Sequence, residues 1–210
     1  MFITFEGIEG AGKSTALKLL SAYFVDNDYE YVLTKEPGGS ELGKELRRIL
    51  LDPKTGKLSS NTELFLYLAD RSEHVASLIT PALEAGVIVL CDRYVDSTLA
   101  YQGFGRGLCV TELKELNKKA TNNLVPDLTF LFDLEPEIGL KRARQRNQLE
   151  NTEHEGRFEA EELAFHKAVR NGFLTLASEE PKRWRVLDAT KTPGQLENEI
   201  IQHLETAGII

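Results

Sequence analysis

Five short runs rich in β-branched and aromatic residues punctuate the chain: MFITFE, YEYVLTK, GVIVLCD, LTFLFDL and RWRVLDA. They read as strands at about residues 1–6, 30–35, 87–92, 128–133 and 184–188. Their apolar positions are nearly continuous rather than alternating, the pattern of strands covered on both faces. Longer segments between them carry helical spacing. Within 14–27, Leu17, Leu20, Tyr23 and Phe24 share a stripe, and further helices are expected over 42–51, 63–85, 111–121, 136–146, 160–179 and 193–207. Pro136 and Pro193 stand where a first helical turn accepts proline. Strands alternating with connections this long imply right-handed crossovers, hence an α/β chain with a five-stranded parallel sheet and helices on both faces. No repeat or linker composition divides it, so residues 1–210 are expected to form one domain. The polar stretch 147–156, NQLENTEHEG, has no capping signal and reads as a mobile loop, a small lid over about 147–157.

Composition narrows the partners. The 210 residues are 41% hydrophobic and 28% charged, ordinary for a globular protein, and carry a formal net charge of −8. That sign argues against a sequence-independent binder of nucleic-acid polymers, which needs a basic surface to displace counterions. No apolar run approaches the length of a membrane span, and no basic n-region precedes an apolar stretch at the start, so the cytoplasm is the expected compartment. Two cysteines do not make a disulfide framework; Cys91, inside VIVLCD, reads as a small core residue.

Candidate chemistry begins directly after the first strand. The segment FEGIEGAGKST fits G-x-x-x-x-G-K-[ST] with Gly7, Gly12, Lys13 and Ser14, in the strand–loop–helix context that a phosphate-binding loop requires. Glycines let backbone N–H groups converge on phosphate oxygens, and the following helix adds its positive end. This places the sheet in the P-loop NTPase class and assigns Gly7, Glu9, Gly10, Ala11, Gly12, Lys13, Ser14 and Thr15 to ATP. Lys13 would reach the β- and γ-phosphates and Ser14 would ligate Mg²⁺. Glu9 is awkward among anion-binding groups; a carboxylate pointing away from them, accepting from a hydroxyl of a second substrate, resolves the conflict.

The residues after strands two and three bear on that second substrate. Asp92, at the carboxyl end of a parallel strand, lies where such sheets bind ligands and is a second candidate for Mg²⁺, with Arg93 as a phosphate clamp. Glu36-Pro37-Gly38-Gly39 is a rigid turn at the same edge, and Arg47 follows on the next helix. Tyr67 and Arg71, four apart, share a helix face and offer an aromatic plane and a hydrogen-bonding fork to a base.

In order along the chain, FEGIEGAGKST, TKEPGGSELGKELR, YLADRSEHV, DRYVDSTLAYQG and PDLTFLFDLEPEIGLKRARQR resemble the thymidylate kinases of the nucleoside-monophosphate kinase family, and DRYVDSTLAYQG is the most specific of these. The resemblance implies phosphorylation of dTMP to dTDP with ATP and Mg²⁺, in a homodimer. It places Glu9 on the 3′-hydroxyl, Tyr67 against thymine, Arg71, Thr98 and Gln102 on the base, and Tyr101 against the 2′ position. Arg47 and Arg93 fall at the acceptor phosphate, and Glu36 and Pro37 join the acceptor site. Lys35 and Tyr67 stand where the family usually has arginine and phenylalanine.

A phosphate monoester acceptor is mostly deprotonated at neutral pH, so no general base is required. Positive charge is required, and GIEGAGK contains no arginine. Arg142, Arg144, Arg146 and Arg157 bracket the polar stretch instead, which resembles the bacterial-type version of the family with its arginine in the lid. Arg157 best matches the arginine that meets the transferred phosphoryl, and Arg142 is assigned to ATP, so Lys13, Arg93 and Arg157 form the expected catalytic set. The alternatives are a kinase of this fold for another small acceptor, or a non-catalytic nucleotide switch.

Overall fold

A computed structural model describes residues 1–150 and 155–210. Five parallel strands, β1 (Phe2–Glu6), β2 (Tyr31–Lys35), β3 (Ile88–Asp92), β4 (Leu128–Asp133) and β5 (Trp184–Asp188), form one sheet in the order β2-β3-β1-β4-β5. Each lies within a residue or so of its predicted position. The register pairs Phe5 with Asp92 on one side and with Phe130 on the other, so the carboxyl ends of β1, β3 and β4 align. Near-continuous burial holds for β1 and β4. It does not hold for the edge strands, where Leu33 and Val186 are about half exposed, because each has a neighbour on one side only.

Helices α1 (Lys13–Asp26), α2 (Glu41–Leu51), α3 (Ser60–His74), α4 (Thr80–Glu84), α5 (Val95–Thr98), α6 (Val110–Thr121), α7 (Pro136–Glu150), α8 (Leu163–Glu179) and α9 (Pro193–Thr206) connect and cover the strands. Pro136 and Pro193 do open α7 and α9, and α9 adds a capping box in which Thr192 and Gln195 satisfy each other's backbone N–H groups. The single helix expected over 63–85 is α3 and α4 joined by a π-helical stretch, Val75–Ile79. Phe2, Val89 and Cys91 on one sheet face pack against Val75, Ile79 and Tyr94.

Two departures from expectation touch the site. The π-helical segment Leu99–Gly105, continuous with α5, had no periodic signature because Gly103 and Gly105 interrupt it. The stretch read as a loop from 147 begins as helix, since α7 runs on to Glu150; NQLE contains no breaker, so the helix has no local reason to stop at Arg146. The rest of that lid falls partly on 151–154, outside the described residues. No helix among the described residues is long and apolar enough to cross a membrane.

Candidate active site

A cavity of about 580 Å³ opens at the carboxyl ends of the strands. One end is the loop 7–12. Gly10 adopts a φ of 70° and sits so close to α7 that a Cβ there would overlap the carbonyl oxygen of Gly139. A Cβ on Gly139 would in turn stand 2.5 Å from the carbonyl oxygen of Glu9. Two facing glycines therefore let the loop rest on the first turn of α7, a pairing that the loop motif alone did not reveal. Lys13 donates to the carbonyls of Gly7 and Ile8 at 2.9 and 3.1 Å. Burial, with the Arg93 charge nearby, pulls its ammonium down to about 8.

Ser14 and Asp92 meet at this end, the hydroxyl 3.4 Å from Asp92 Oδ2. The other oxygen, Oδ1, is buried without a hydrogen-bond partner. A hydroxyl and a carboxylate with a spare oxygen are hard donors that suit Mg²⁺, which takes few protein ligands and fills its shell with phosphate and water. Among the described residues no cluster of three acidic, His or Cys side chains offers a rival metal site.

The middle of the cavity is organised by Glu9. Its Oε1 accepts from the Tyr101 hydroxyl at 2.5 Å and from Arg93 Nη2 at 3.1 Å. Burial pushes this carboxyl up, but His166, Arg93 and Tyr101 outweigh it and hold the group at about 2. Arg93 occupies the left-handed region, φ 70°, and is held there from several sides. Its N–H donates to the Phe5 carbonyl, Nη1 donates to Ser97 at 3.2 Å, and the guanidinium lies 4.9 Å from the Tyr101 ring centre. Behind it Glu6, fully buried, accepts from the Tyr94 N–H and the Ser97 hydroxyl and so fixes the turn after β3. Burial, reinforced by Asp96, raises Glu6 to about 7. A carboxylate inside an apolar strand gave no sequence cue to this role.

At the far end Tyr67 and Arg71 of α3 line the cavity together, as their four-residue spacing predicts. Arg71 is 1% exposed. Its Nε donates to Glu36 Oε2 at 2.7 Å, Nη1 to Thr98 at 2.7 Å and to Asn117 at 2.6 Å, and Nη2 to the Tyr94 carbonyl at 2.9 Å. Four of its five N–H groups are thus committed to the protein, leaving one on Nη2. Glu36, just before the cis peptide to Pro37, also meets His74, whose other ring nitrogen contacts Thr34. Gln102 donates to Glu63 at 2.9 Å and lines the cavity through its remaining groups. Asn117, His74 and Glu63 were not singled out from sequence; each lies on a helix with nothing local to mark it.

The four arginines around the polar stretch separate. Arg142 and Arg146 line the cavity, Arg142 donating to the Ala189 carbonyl at 3.1 Å. Arg144 turns to the carbonyl of Glu159. Arg157, expected at the transferred phosphoryl, is not brought to the phosphate loop here. Its Nε donates to the Leu50 carbonyl and its Nη2 to Glu63 at 2.8 Å, with the guanidinium over the Phe158 ring. The carboxylate and the free carbonyl near the end of α2 draw it there. Arg47 is likewise engaged: its Nε and Nη2 meet both oxygens of Glu155 at 3.0 and 2.6 Å, the bidentate geometry that a phosphate would also accept.

Comparison with known proteins agrees with this architecture. The thymidylate kinase family model matches residues 5–200. The chain belongs to the thymidylate kinase family. It is 57% identical over 194 residues to the thymidylate kinase of Desulfovibrio desulfuricans, covering 92% of this chain and 89% of that one. It is 55% identical over 203 residues to that of Nitratidesulfovibrio vulgaris, covering 96% and 94%. The crystal structure of thymidylate kinase from Ehrlichia chaffeensis superposes with a TM-score of 0.78 at 34% identity over 98% of both chains. The family's P-loop fold and the parallel five-stranded sheet expected from sequence are therefore both present.

Proposed function

We propose that this chain carries out ATP + dTMP → ADP + dTDP by direct in-line transfer within the 580 Å³ cavity, each end of which has its own task. The observation that carries the reading is the division of that cavity. A lysine, a hydroxyl and a carboxylate converge at one end, and an aromatic plane with a nearly saturated arginine forms the other. Glu9 and Arg93 lie between them.

At the donor end the loop N–H groups and Lys13 hold the ATP phosphates, with Lys13 exchanging the Gly7 and Ile8 carbonyls for phosphate oxygens. Ser14 and Asp92 would hold Mg²⁺, which when bound neutralises charge across the β- and γ-phosphate oxygens. At the acceptor end Tyr67 stacks on thymine, and the spare N–H of Arg71, with Thr98 and Gln102, meets the base edge. Glu9 receives the 3′-hydroxyl and the Tyr101 ring closes the space beside the 2′ carbon. Arg93 and Arg47 clamp the acceptor phosphate, and Arg47 must first release Glu155. Glu36 and Pro37 shape this end, Glu36 by fixing Arg71.

Arg142 lies against ATP, and Arg146 adds charge at the cavity. Arg157 reaches the transferring phosphoryl by exchanging Glu63 and the Leu50 carbonyl for phosphoryl oxygens, a role that makes residues 147–157 the lid. The acceptor is already ionised and needs no base. We place this chemistry in a cytoplasmic homodimer, with the exposed Phe65 of α3 in the dimer surface; sedimentation of the purified chain at twice the monomer mass is the expected result. The catalytic reading is tested by acceptor dependence. ADP release must require dTMP, whereas a nucleotide switch would release ADP without any acceptor.

A further inference from the structure

α8 carries a histidine with no obvious reason to be where it is. His166 is fully buried, and neither ring nitrogen has a hydrogen-bond partner. Leaving such groups unpaired is unfavourable, so phenylalanine or leucine would serve the core better at that position. Its position is fixed by aromatic packing. The neighbouring Phe165 ring lies 6.1 Å from the Tyr101 ring, and Phe173, two turns on along α8, lies 6.1 Å from it on another side. The helix that carries His166 is thus held against the segment that carries Tyr101.

Nδ1 of His166 faces Glu9 Oε2 across 3.5 Å. That oxygen is also buried and unpaired. Two unsatisfied groups of complementary kind therefore confront each other, and a shift of about half an ångström brings them to hydrogen-bond length. The tautomer follows from the surroundings. With hydrogen on Nδ1 the ring donates to Glu9.

A carboxylate has about four lone-pair sites. In Glu9, Tyr101 and Arg93 take the two on Oε1. We propose that His166 is a positioning residue that pairs with Oε2, locks the broad terminal torsion of Glu9, and so fixes the carboxylate that meets the acceptor's 3′-hydroxyl. The proposal rests on the reading of Glu9 as the 3′-hydroxyl acceptor.

The test compares dTMP with 3′-deoxy-dTMP in steady-state kinetics on wild type and on three variants. His166→Phe keeps the ring volume and removes the donor. His166→Asn places an amide nitrogen near the Nδ1 position, and His166→Gln places one near Nε2. Wild type is expected to favour dTMP. His166→Phe raises KM for dTMP about 5- to 10-fold with kcat little changed, leaves KM for 3′-deoxy-dTMP unaltered, and so narrows the preference. Asn restores the preference and Gln does not; that contrast carries the test if the Phe variant fails to fold. Equal loss on both acceptors, or an unchanged preference in Phe and Gln, overturns the positioning role while leaving Glu9's contact intact. A wild type indifferent to the 3′-hydroxyl overturns the Glu9 reading itself, and this proposal with it.

Discussion

Replacing Arg71 with Met removes the most heavily committed side chain of the acceptor site. Arg71 and its ion-pair partner Glu36 are both about 1% exposed as side chains, so neither charge has water to fall back on. Met fills much of the volume but strands three acceptors besides Glu36: the Thr98 hydroxyl, Asn117 Oδ1 and the Tyr94 carbonyl. Thr98 can rotate to donate elsewhere, while the other two cannot. Leaving a buried carboxylate without its cation typically costs about 3–5 kcal/mol. His74 still contacts Glu36, which argues for the lower half of that range. The magnitude is separable from simple loss of packing by a cycle with Glu36→Gln, since Gln can keep contacts to His74 and Arg71 without a charge. Alone, Glu36→Gln leaves the buried Arg71 as the unpaired charge and should cost about 3 kcal/mol, its other hydrogen bonds being retained. The double variant should be more stable than the sum of the two by about 2 kcal/mol, because it contains no unpaired charge. Urea unfolding followed by Trp184, the chain's one tryptophan and buried in β5, reports all four members of the cycle. Additive losses, or a cost below about 1 kcal/mol for Arg71→Met, would refute the view that Glu36–Arg71 is a coupled pair holding the base-binding arginine in place.

The lid arginines separate by kinetics: Arg157→Ala should lower kcat at least about 100-fold and Arg146→Ala much less, and the reverse order in a coupled ADP assay removes Arg157 from the transfer. Glu155→Gln weakens a pair whose partners are 23% and 34% exposed and frees Arg47 for the acceptor phosphate. The dissociation constant for dTMP by calorimetry should fall about two- to fivefold, in line with roughly 0.5–1 kcal/mol for such a pair; a constant that is unchanged or higher contradicts the phosphate role of Arg47. Asp70 is raised to about 6 by burial and then by the Glu36 charge. A folded pKa above the unfolded value of a carboxyl makes stability greatest below about 4 and erodes it as pH climbs through 6. Wild type should therefore lose up to about 3 kcal/mol relative to Asp70→Asn between pH 4 and 7, while a constant difference in urea midpoints across that range would show that Asp70 titrates normally.

Much of the fold was legible because it rests on local patterns. The five apolar runs have few alternatives in a chain with helical segments between them, and Gly7–Ser14 declares both the first strand's end and the first helix's start. Asp92 was legible for the same reason, as an acidic residue ending a buried strand. The segment Leu99–Gly105 was not, because a π-helical turn has no repeating stripe and its glycines look like a loop. Arg157 shows a different limit. Its neighbour in sequence is the polar stretch, but Glu63 and the Leu50 carbonyl, about a hundred residues earlier, decide where its guanidinium lies. Glu6, Asn117 and His166 share that limit, since a buried polar residue is explained only by the partner it meets across the fold. The edge strands show a third: Leu33 and Val186 satisfy the apolar pattern and are still half exposed, because strand order is not written in any one strand.

The central claim is that the end of the cavity built from Tyr67, Arg71, Thr98 and Gln102 selects thymine. It is tested most directly by measuring kcat/KM of the purified protein for dTMP, dUMP, UMP, CMP, AMP and GMP at saturating ATP and Mg²⁺. On the proposed reading dTMP ranks first, dUMP weaker for want of a methyl contact, UMP weaker again for the 2′-hydroxyl it would press against Tyr101, and the purines close to background. CMP or AMP ranking ahead of dTMP would contradict it.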